Sequence, residues 1–583
     1  MTKKAEYIFL LFIVCAASIL RLWNLGVVPP SPDWDEVALG YNAYSIMQTG
    51  KDEYGEFLPV ILRSFDDYKP ALYAYFTIPF IALFDLTVFA VRLPSAIFGI
   101  LTVVATYFLV KELFINPKSE IRNPKQIKNS NNQNSKNSLE IRNLKFEIPI
   151  VAAALLAISP WHIQFSRVAF ESNMGLAFNV FGLLFFLKGL KKPFFILFSV
   201  LLFSLNLYVY QSEKVFVPLI VVCLIVIYKK KLLSLSKKYI AMGVLLGIFV
   251  VMPMLIFSAT GKNTLSRLEG VSFLSNSTEL LKDTIEKNIR NTNNNDIIGL
   301  LFDNRRLVYT KTFISGYISH FDFNWLFLKG DFQNNRHHAP NMGLLYFFEL
   351  PFLLIGIYIL VFDKMFDRKT KLLLFSWFFI APIPASISGD VPHAVRTLNF
   401  LPTFQVFTAI GIIFAFQKIF SIQYSVFSFK HSRFLIVIFM FSFFTFNFIY
   451  YLNQYFVQQN YFYSYDWQYG YKELVEFLKP IQKNYEKVIV SNRGSLSQSH
   501  MFFLFYLKYD PSKYLSEGGS FSKEIPEKKT FSNFEFREFN YYSEHGKVLF
   551  VGTDQDFPND FKEVKRIYNL DGSLAIRVVE KEL

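Results

Sequence analysis

Three acids in four residues open the first polar stretch of the chain, Asp33-Trp34-Asp35-Glu36. A carboxylate beside a hydroxyl can take or orient its proton as the oxygen attacks, so such a cluster suits general-base work in a group transfer. Capping is the structural alternative. Asp33 and Glu36 have the spacing of a capping box, and all three acids would favour the positive end of a helix dipole. A cap accounts for Asp33 and Glu36 but leaves Asp35 unexplained. Acids and bases mix again in Arg63-Ser64-Phe65-Asp66-Asp67-Tyr68-Lys69-Pro70. Further bases stand in short polar turns: Arg167 after Trp161-His162-Ile163-Gln164-Phe165-Ser166, Lys214 after Glu213, and Arg396 after Pro392-His393-Ala394-Val395. Snorkelling explains any one of them. Several meeting in one pocket would suit an anionic headgroup or a phosphate.

The elements that must position these residues are apolar. Of 583 residues, 52% are hydrophobic, 18% aromatic and only 18% charged, a composition too apolar for an ordinary water-soluble domain. The net charge of +14 comes from bases clustered in short stretches between apolar runs. Retention of Lys and Arg on the cytoplasmic side explains that pattern better than nucleic-acid binding, which is not expected. Cys15 and Cys223 both lie inside apolar runs, where they read as packing residues and not as a disulfide framework.

Residues 5–22 follow Lys3 and Lys4 and lack a small-residue cleavage pattern, so they read as a retained first helix with a cytoplasmic N-terminus. Residues 23–70 then form a first external loop. Residues 71–84 are apolar but shorter than the roughly twenty a spanning helix needs, which fits a re-entrant helix. Residues 88–114 cross inward. The basic, low-complexity segment 115–147, in which Glu120-Ile121-Arg122-Asn123 recurs as Glu140-Ile141-Arg142-Asn143, reads as a disordered cytoplasmic insertion. Crossings follow at 148–160, 174–189, 194–210, 215–228 and 239–257. After a long external loop, 258–341, come 342–362, 372–386, 398–416 and 434–451. The reading is thus an α-helical polytopic membrane protein with about eleven transmembrane helices in residues 1–451, followed by an external soluble α/β domain, 452–583, where strand-like Lys487-Val488-Ile489-Val490 and Lys547-Val548-Leu549-Phe550-Val551 appear.

An ordered set of motifs resembles the C superfamily of membrane glycosyltransferases, in the branch of protein O-mannosyltransferases and aminoarabinose transferases. The set runs Arg21-Leu22-Trp23-Asn24-Leu25-Gly26, Asp33-Trp34-Asp35-Glu36, Thr49-Gly50-Lys51-Asp52, Lys69-Pro70-Ala71-Leu72-Tyr73 and Ala90-Val91-Arg92-Leu93-Pro94-Ser95. It continues with Ser159-Pro160-Trp161-His162, Ser166-Arg167, Glu171, Asn335-Arg336-His337-His338 and His393-Ala394-Val395-Arg396. Together these cover roughly residues 20 to 410, and the order is more specific than any member. Ala71 stands where a second proline is usual in the family, and Glu213-Lys214 where an arginine is often found.

The resemblance implies a GT-C type fold and an inverting transfer of a sugar from a polyprenyl-phosphate donor to a protein, lipid or glycan acceptor at the outer face of the cell membrane. It implies Asp35 as general base with Glu36 beside it, and Lys69 as the lysine that contacts the donor phosphate. Arg167 and Arg396 are candidates for stabilising the departing phosphate. Glu171, Arg336, His337 and His393 are candidates for binding acceptor or headgroup. A divalent-metal site from His337, His338 and nearby acids rests only on adjacent histidines, which is weak, so no cofactor is assigned. Two other classes remain open: a transporter or flippase, which would more typically place charges or broken helices at mid-membrane, and a surface-polysaccharide polymerase or ligase using diphosphate-linked donors.

Overall fold

The computed structural model describes residues 3–65, 67–114, 147–260, 272, 277–421, 430–520, 529–557 and 563–581. Asp66 and nearly all of the expected insertion 115–147 lie outside the described residues. Long Phe, Leu and Ile runs in an apolar solvent must satisfy their backbone polar groups internally, which selects helices. The chain opens with α1 (Lys3–Leu22), α2 (Trp34–Thr49), α3 (Leu72–Phe84) and α4 (Val88–Phe114). Next come α5 (Glu147–Ile158) and α6 (Pro160–Ser166), bent by 58° at their junction, then α7 (Glu171–Gly189), α8 (Phe195–Asn206), α9 (Glu213–Leu232) and α10 (Lys237–Thr260). Three helices follow, α11 (Ser277–Asn293), the short apolar α12 (Ile297–Phe302) and α13 (Arg305–Ser319). The bundle closes with α14 (Glu349–Phe362), α15 (Arg368–Ile380), α16 (Thr403–Ser421) and α17 (Lys430–Asn453).

The apolar runs read from the sequence are helical, but their lengths do not by themselves support eleven crossings. Among the described residues, five helices are long and apolar enough to cross a membrane, and the bent α5–α6 pair makes a sixth. α3, α8 and α14 are apolar but shorter, at 10–17 residues. The final span also runs beyond residue 451, continuing to Phe462. In the bundle core, α14 and α16 cross so closely that a Cβ at Gly356 or Gly411 would overlap the carbonyl oxygen of Phe407 or Phe352. Such small-residue crossings are how apolar helices pack when lipid offers no hydrophobic contrast.

The C-terminal part is a six-stranded sheet. In chain order after the ribbon β1 (Ile61–Ser64) and β2 (Asp67–Pro70), its strands are β3 (Lys487–Val490), β4 (Lys529–Phe531), β5 (Phe534–Phe536), β6 (Val548–Gly552), β7 (Glu563–Tyr568) and β8 (Leu574–Lys581). The spatial order is β4-β5-β3-β6-β8-β7, with β3 parallel to β5 and β6 and the other pairs antiparallel. Alternate residues face opposite ways along a strand. Ile489, Val548, Phe550 and Val579 accordingly fill one small core, while Val488, Val490, Leu549 and Val578 fill another.

That second core is not confined to the sheet. It is continuous with Val37, Ala38 and Tyr41 of α2, through α18 (Tyr471–Ile481) and α19 (Ser499–Leu507). At Gly40 a Cβ would stand 2.6 Å from Val91 of α4 and 2.8 Å from Phe505 of α19. α2 is therefore wedged between the membrane bundle and the C-terminal sheet. Polar ties reinforce the wedge. The Trp34 N–H donates to Gln468 (3.2 Å), Tyr41 Oη to the Tyr509 carbonyl (3.1 Å) and the Ser520 N–H to the Glu53 carbonyl (3.0 Å).

Candidate active site

Asp33 is the N-cap of α2. Its side chain accepts from the Glu36 N–H (2.9 Å), and Glu36 accepts in return from the Asp33 N–H (3.3 Å). This capping box fixes the start of α2 and so places Asp35 in its first turn. Asp35 remains about one-third exposed and forms an ion pair with Lys69, which is largely buried. Lys69 reaches it from β2, where Leu62 pairs with Lys69 across the ribbon. The ribbon is pinned from the bundle side by Gln211, which donates to the Tyr68 carbonyl (2.9 Å), and by the Leu72 N–H, which donates to the Tyr208 carbonyl (3.2 Å). Residues 34 positions apart are thus brought together by two elements that are each anchored independently.

Glu36 has a different environment from Asp35. It is buried and engaged by the guanidinium of Arg92, Nε to Oε1 at 2.8 Å and Nη2 to Oε2 at 2.9 Å, while the Ala169 N–H also donates to Oε1 (2.9 Å). Arg92 in turn donates to the carbonyls of Leu25 (3.1 Å), Pro29 (2.9 Å) and Ser31 (2.7 Å). Both oxygens of Glu36 are thus occupied, and it ties α2 to α4 and to the turn before α7.

Arg167, expected at the donor phosphate, is buried among backbone carbonyls and aromatic rings. Its guanidinium has no exposed surface, donates to the carbonyls of Leu20 (2.9 Å) and Val28 (2.9 Å), and lies over the rings of Phe456 (4.9 Å) and Tyr455 (5.6 Å). It braces the entry to the first loop. Glu171, at the start of α7, is also buried, where the positive end of the helix dipole favours a carboxylate.

Arg396 is half-buried, and its Nη1, like the Nε of Arg167, is buried without a hydrogen-bond partner among the described residues. A buried cationic donor without an acceptor is costly unless something supplies one. Beside it stand His393 and His337, with ring centroids 5.1 Å apart. His337 Nδ1 contacts Asp331 Oδ2 at 2.7 Å, and the same oxygen accepts from the Ala394 N–H at 2.9 Å. His393 Nδ1 is buried and unpartnered, and its backbone N–H donates to His320 Nε2 at 3.2 Å. Burial, with Arg396 and His337 nearby, holds the His393 imidazole well below its usual pKa. Burial also lowers His337, opposed by Asp331.

Arg336 joins the two halves. It pairs with Asp33 at 2.9 Å and lies over the Trp34 ring at 4.5 Å. Burial, opposed by Arg336, pushes the Asp33 carboxyl above the ordinary carboxylate range. The chain of contacts therefore runs from Asp35 through the α2 cap to Arg336, His337, His393 and Arg396. Asp331, His337 and His393 each offer one ligand atom, all within 4.8 Å of one another, a spacing three ligands of one divalent ion can adopt. His338, considered with them from the sequence, is not in that group; its ring packs on Tyr463 at 5.8 Å.

Sequence reasoning missed the role of Arg92, although its motif had been singled out, because nothing local reveals that Glu36 lies opposite it. Asp331 and Gln468 carried no signal. They matter only through tertiary contacts.

No protein-family model and no curated protein matches the chain. Among solved structures, ArnT, an aminoarabinose transferase, from Cupriavidus metallidurans bound to undecaprenyl phosphate aligns over 98% of this chain and 97% of its own, with a TM-score of 0.51 at 10% identity. ArnT in the apo state aligns over 99% and 98%, with a TM-score of 0.50 at 11% identity. The archaeal oligosaccharyltransferase AglB from Archaeoglobus fulgidus, in complex with an inhibitory peptide and a dolichol-phosphate, covers 86% of this chain and 64% of its own, with a TM-score of 0.47 at 12% identity. The helical bundle with its C-terminal sheet, matched end to end by ArnT, gives this chain the fold of ArnT.

Proposed function

We propose that this protein is an inverting glycosyltransferase that moves a sugar from a polyprenyl-phosphate donor to a protein, lipid or glycan acceptor at the outer face of the cell membrane. The observation that carries the reading is the Asp35–Lys69 pair at the start of α2, with Asp35 about one-third exposed and linked through Asp33 and Arg336 to the histidine cluster beside Arg396, whose Nη1 has no partner among the described residues. Asp35 takes the proton of the acceptor hydroxyl as its oxygen attacks the anomeric carbon. The bond from that carbon to the phosphate oxygen breaks on the opposite side, and the electron pair leaves with the polyprenyl phosphate. Lys69 and Arg396 stabilise the negative charge that develops there. In this scheme the donor phosphate competes with Asp35 for Lys69, which frees the carboxylate when donor is bound. Arg336, with His337 and His393, faces the acceptor or the headgroup.

A long isoprenoid buries about 0.8 kcal/mol per CH₂, so the donor stays in the bilayer and the transfer occurs at its boundary. The reading has the N-terminus in the cytoplasm and residues 452–583 outside. The test is release of free polyprenyl phosphate from a panel of polyprenyl-phosphate sugars with candidate acceptors. Turnover by the wild type that disappears in Asp35→Asn supports the scheme. Equal turnover in both removes Asp35 as base, and turnover only with diphosphate-linked donors replaces the donor class.

A further inference from the structure

The helices α11–α13 present an inverted amphipathic pattern. At the tip, α12 has the sequence Ile-Ile-Gly-Leu-Leu-Phe, and Ile297 is 80% exposed, Ile298 70%, Leu301 64% and Phe302 65%. Two local hydrogen bonds fix the start and end of this short helix. Asp296 caps the Gly299 N–H (2.9 Å), and Asn291 donates to Asp303 (2.9 Å). The turn before α12 is exposed and polar, from Asn293 to Asp296, whereas within α12 itself the apolar side chains are exposed and none is buried. A water-facing helix would have the reverse arrangement.

The exposed apolar surface continues beyond the tip. On α11, Ile285 and Ile289 are exposed at i, i+4, and on α13, Leu307, Ile314 and Ile318 share one face at i, i+7, i+11. The residues that follow the tip are basic and exposed: Arg305, Arg306 and Lys311, with no acid anywhere in α13. An apolar edge bordered by bases complements a bilayer carrying anionic headgroups, the pattern of helices that lie in a membrane interface. The far end of α13 is fastened to the bundle where Tyr317 Oη donates to the Phe379 carbonyl (2.9 Å) at the end of α15. Phe379 is itself exposed, as are Phe249 and Ile256 on α10.

We infer that residues 277–319 form an interfacial paddle that inserts its α12 tip into the leaflet on the Arg396 side, with the bases of α13 at anionic headgroups. The paddle is attached to the candidate site, since His320, the residue after α13, accepts from the His393 N–H. The inference does not depend on the transfer reaction.

The test uses the full chain in nanodiscs of zwitterionic and anionic lipid. In a Cys15→Ser, Cys223→Ser background, Leu301→Cys is labelled with an environment-sensitive fluorophore, and lipids carrying a spin label in the upper acyl chain act as quencher. Asn293→Cys serves as the reference position outside the apolar tip. Blue-shifted emission and strong quenching at 301, with weak quenching at 293, is the expected result. A water-like spectrum at 301 without quenching overturns the inference. Blue-shifted emission without quenching also overturns it, because the tip would then be covered by protein, an acceptor or a second copy, and not by lipid.

Discussion

Asp35 and Glu36 are adjacent in sequence, yet their surroundings assign them different work. Asp35 keeps solvent access and one cationic partner, so Asp35→Asn is expected to lower the transfer rate by about 10²- to 10⁴-fold, with the melting temperature of the detergent-solubilised protein unchanged. Glu36→Ala should act the other way round. It leaves Arg92 charged and unpaired in a fully buried site, a loss of about 3–5 kcal/mol, visible as a large drop in melting temperature and in yield of folded protein. The two arginines separate in the same manner. Arg396→Ala removes a donor that has no protein acceptor, so kcat/KM for the sugar donor should fall about 10- to 100-fold, the equivalent of one charged hydrogen bond, while thermal stability holds. Arg167→Ala leaves two buried carbonyls without donors, and its first consequence should be thermal destabilisation. If Arg396→Ala unfolded the protein and Arg167→Ala altered only donor kinetics, the two assignments would have to be exchanged.

At the scale of elements, α2 is the part on which the site depends. Its start is set by the capping box and its end by Gly50, whose φ of 71° lies in the left-handed region that glycine tolerates. Asp33 does two jobs there, capping α2 and pairing with Arg336. Asp33→Ala is therefore expected to cost about 1 kcal/mol for the cap and, separately, to release Arg336. Asp33→Asn keeps a capping oxygen and loses the ion pair, so a comparison of melting temperature and kinetics between the two variants separates the contributions. The ribbon β1–β2 is as important as α2, since without its register Lys69 would not reach Asp35.

At the scale of the whole molecule, the C-terminal sheet shares its larger core with α2 and does not stand apart as a tethered accessory. Ending the chain after Phe462 would uncover Val37, Ala38 and Tyr41, all buried now. The truncated protein is expected to aggregate or fail to fold, measured by size-exclusion chromatography in detergent. A well-behaved truncation with an intact bundle would show that the sheet is dispensable for positioning α2.

The sequence by itself determined the class of molecule and where its apolar helices lie, because apolar composition and run length are local properties that lipid as solvent converts directly into helix; it left α11–α13 inside a loop. It also singled out Asp35, Lys69 and Arg396 as residues worth examining, through residue type and motif order. It could not determine how many of the apolar helices are long enough to cross alone, since breaks such as the one before Pro160 and the short α8 and α14 depend on packing. Nor could it separate the pairs that look alike on paper. Asp35 and Glu36, or Arg396 and Arg167, carry the same charge in similar local settings, and only the tertiary structure decides which one is fully buried and which keeps solvent access. Burial and partner geometry are set by segments hundreds of positions away, Arg336 against Asp33 and Gln468 against Trp34, and no local pattern encodes a contact of that range.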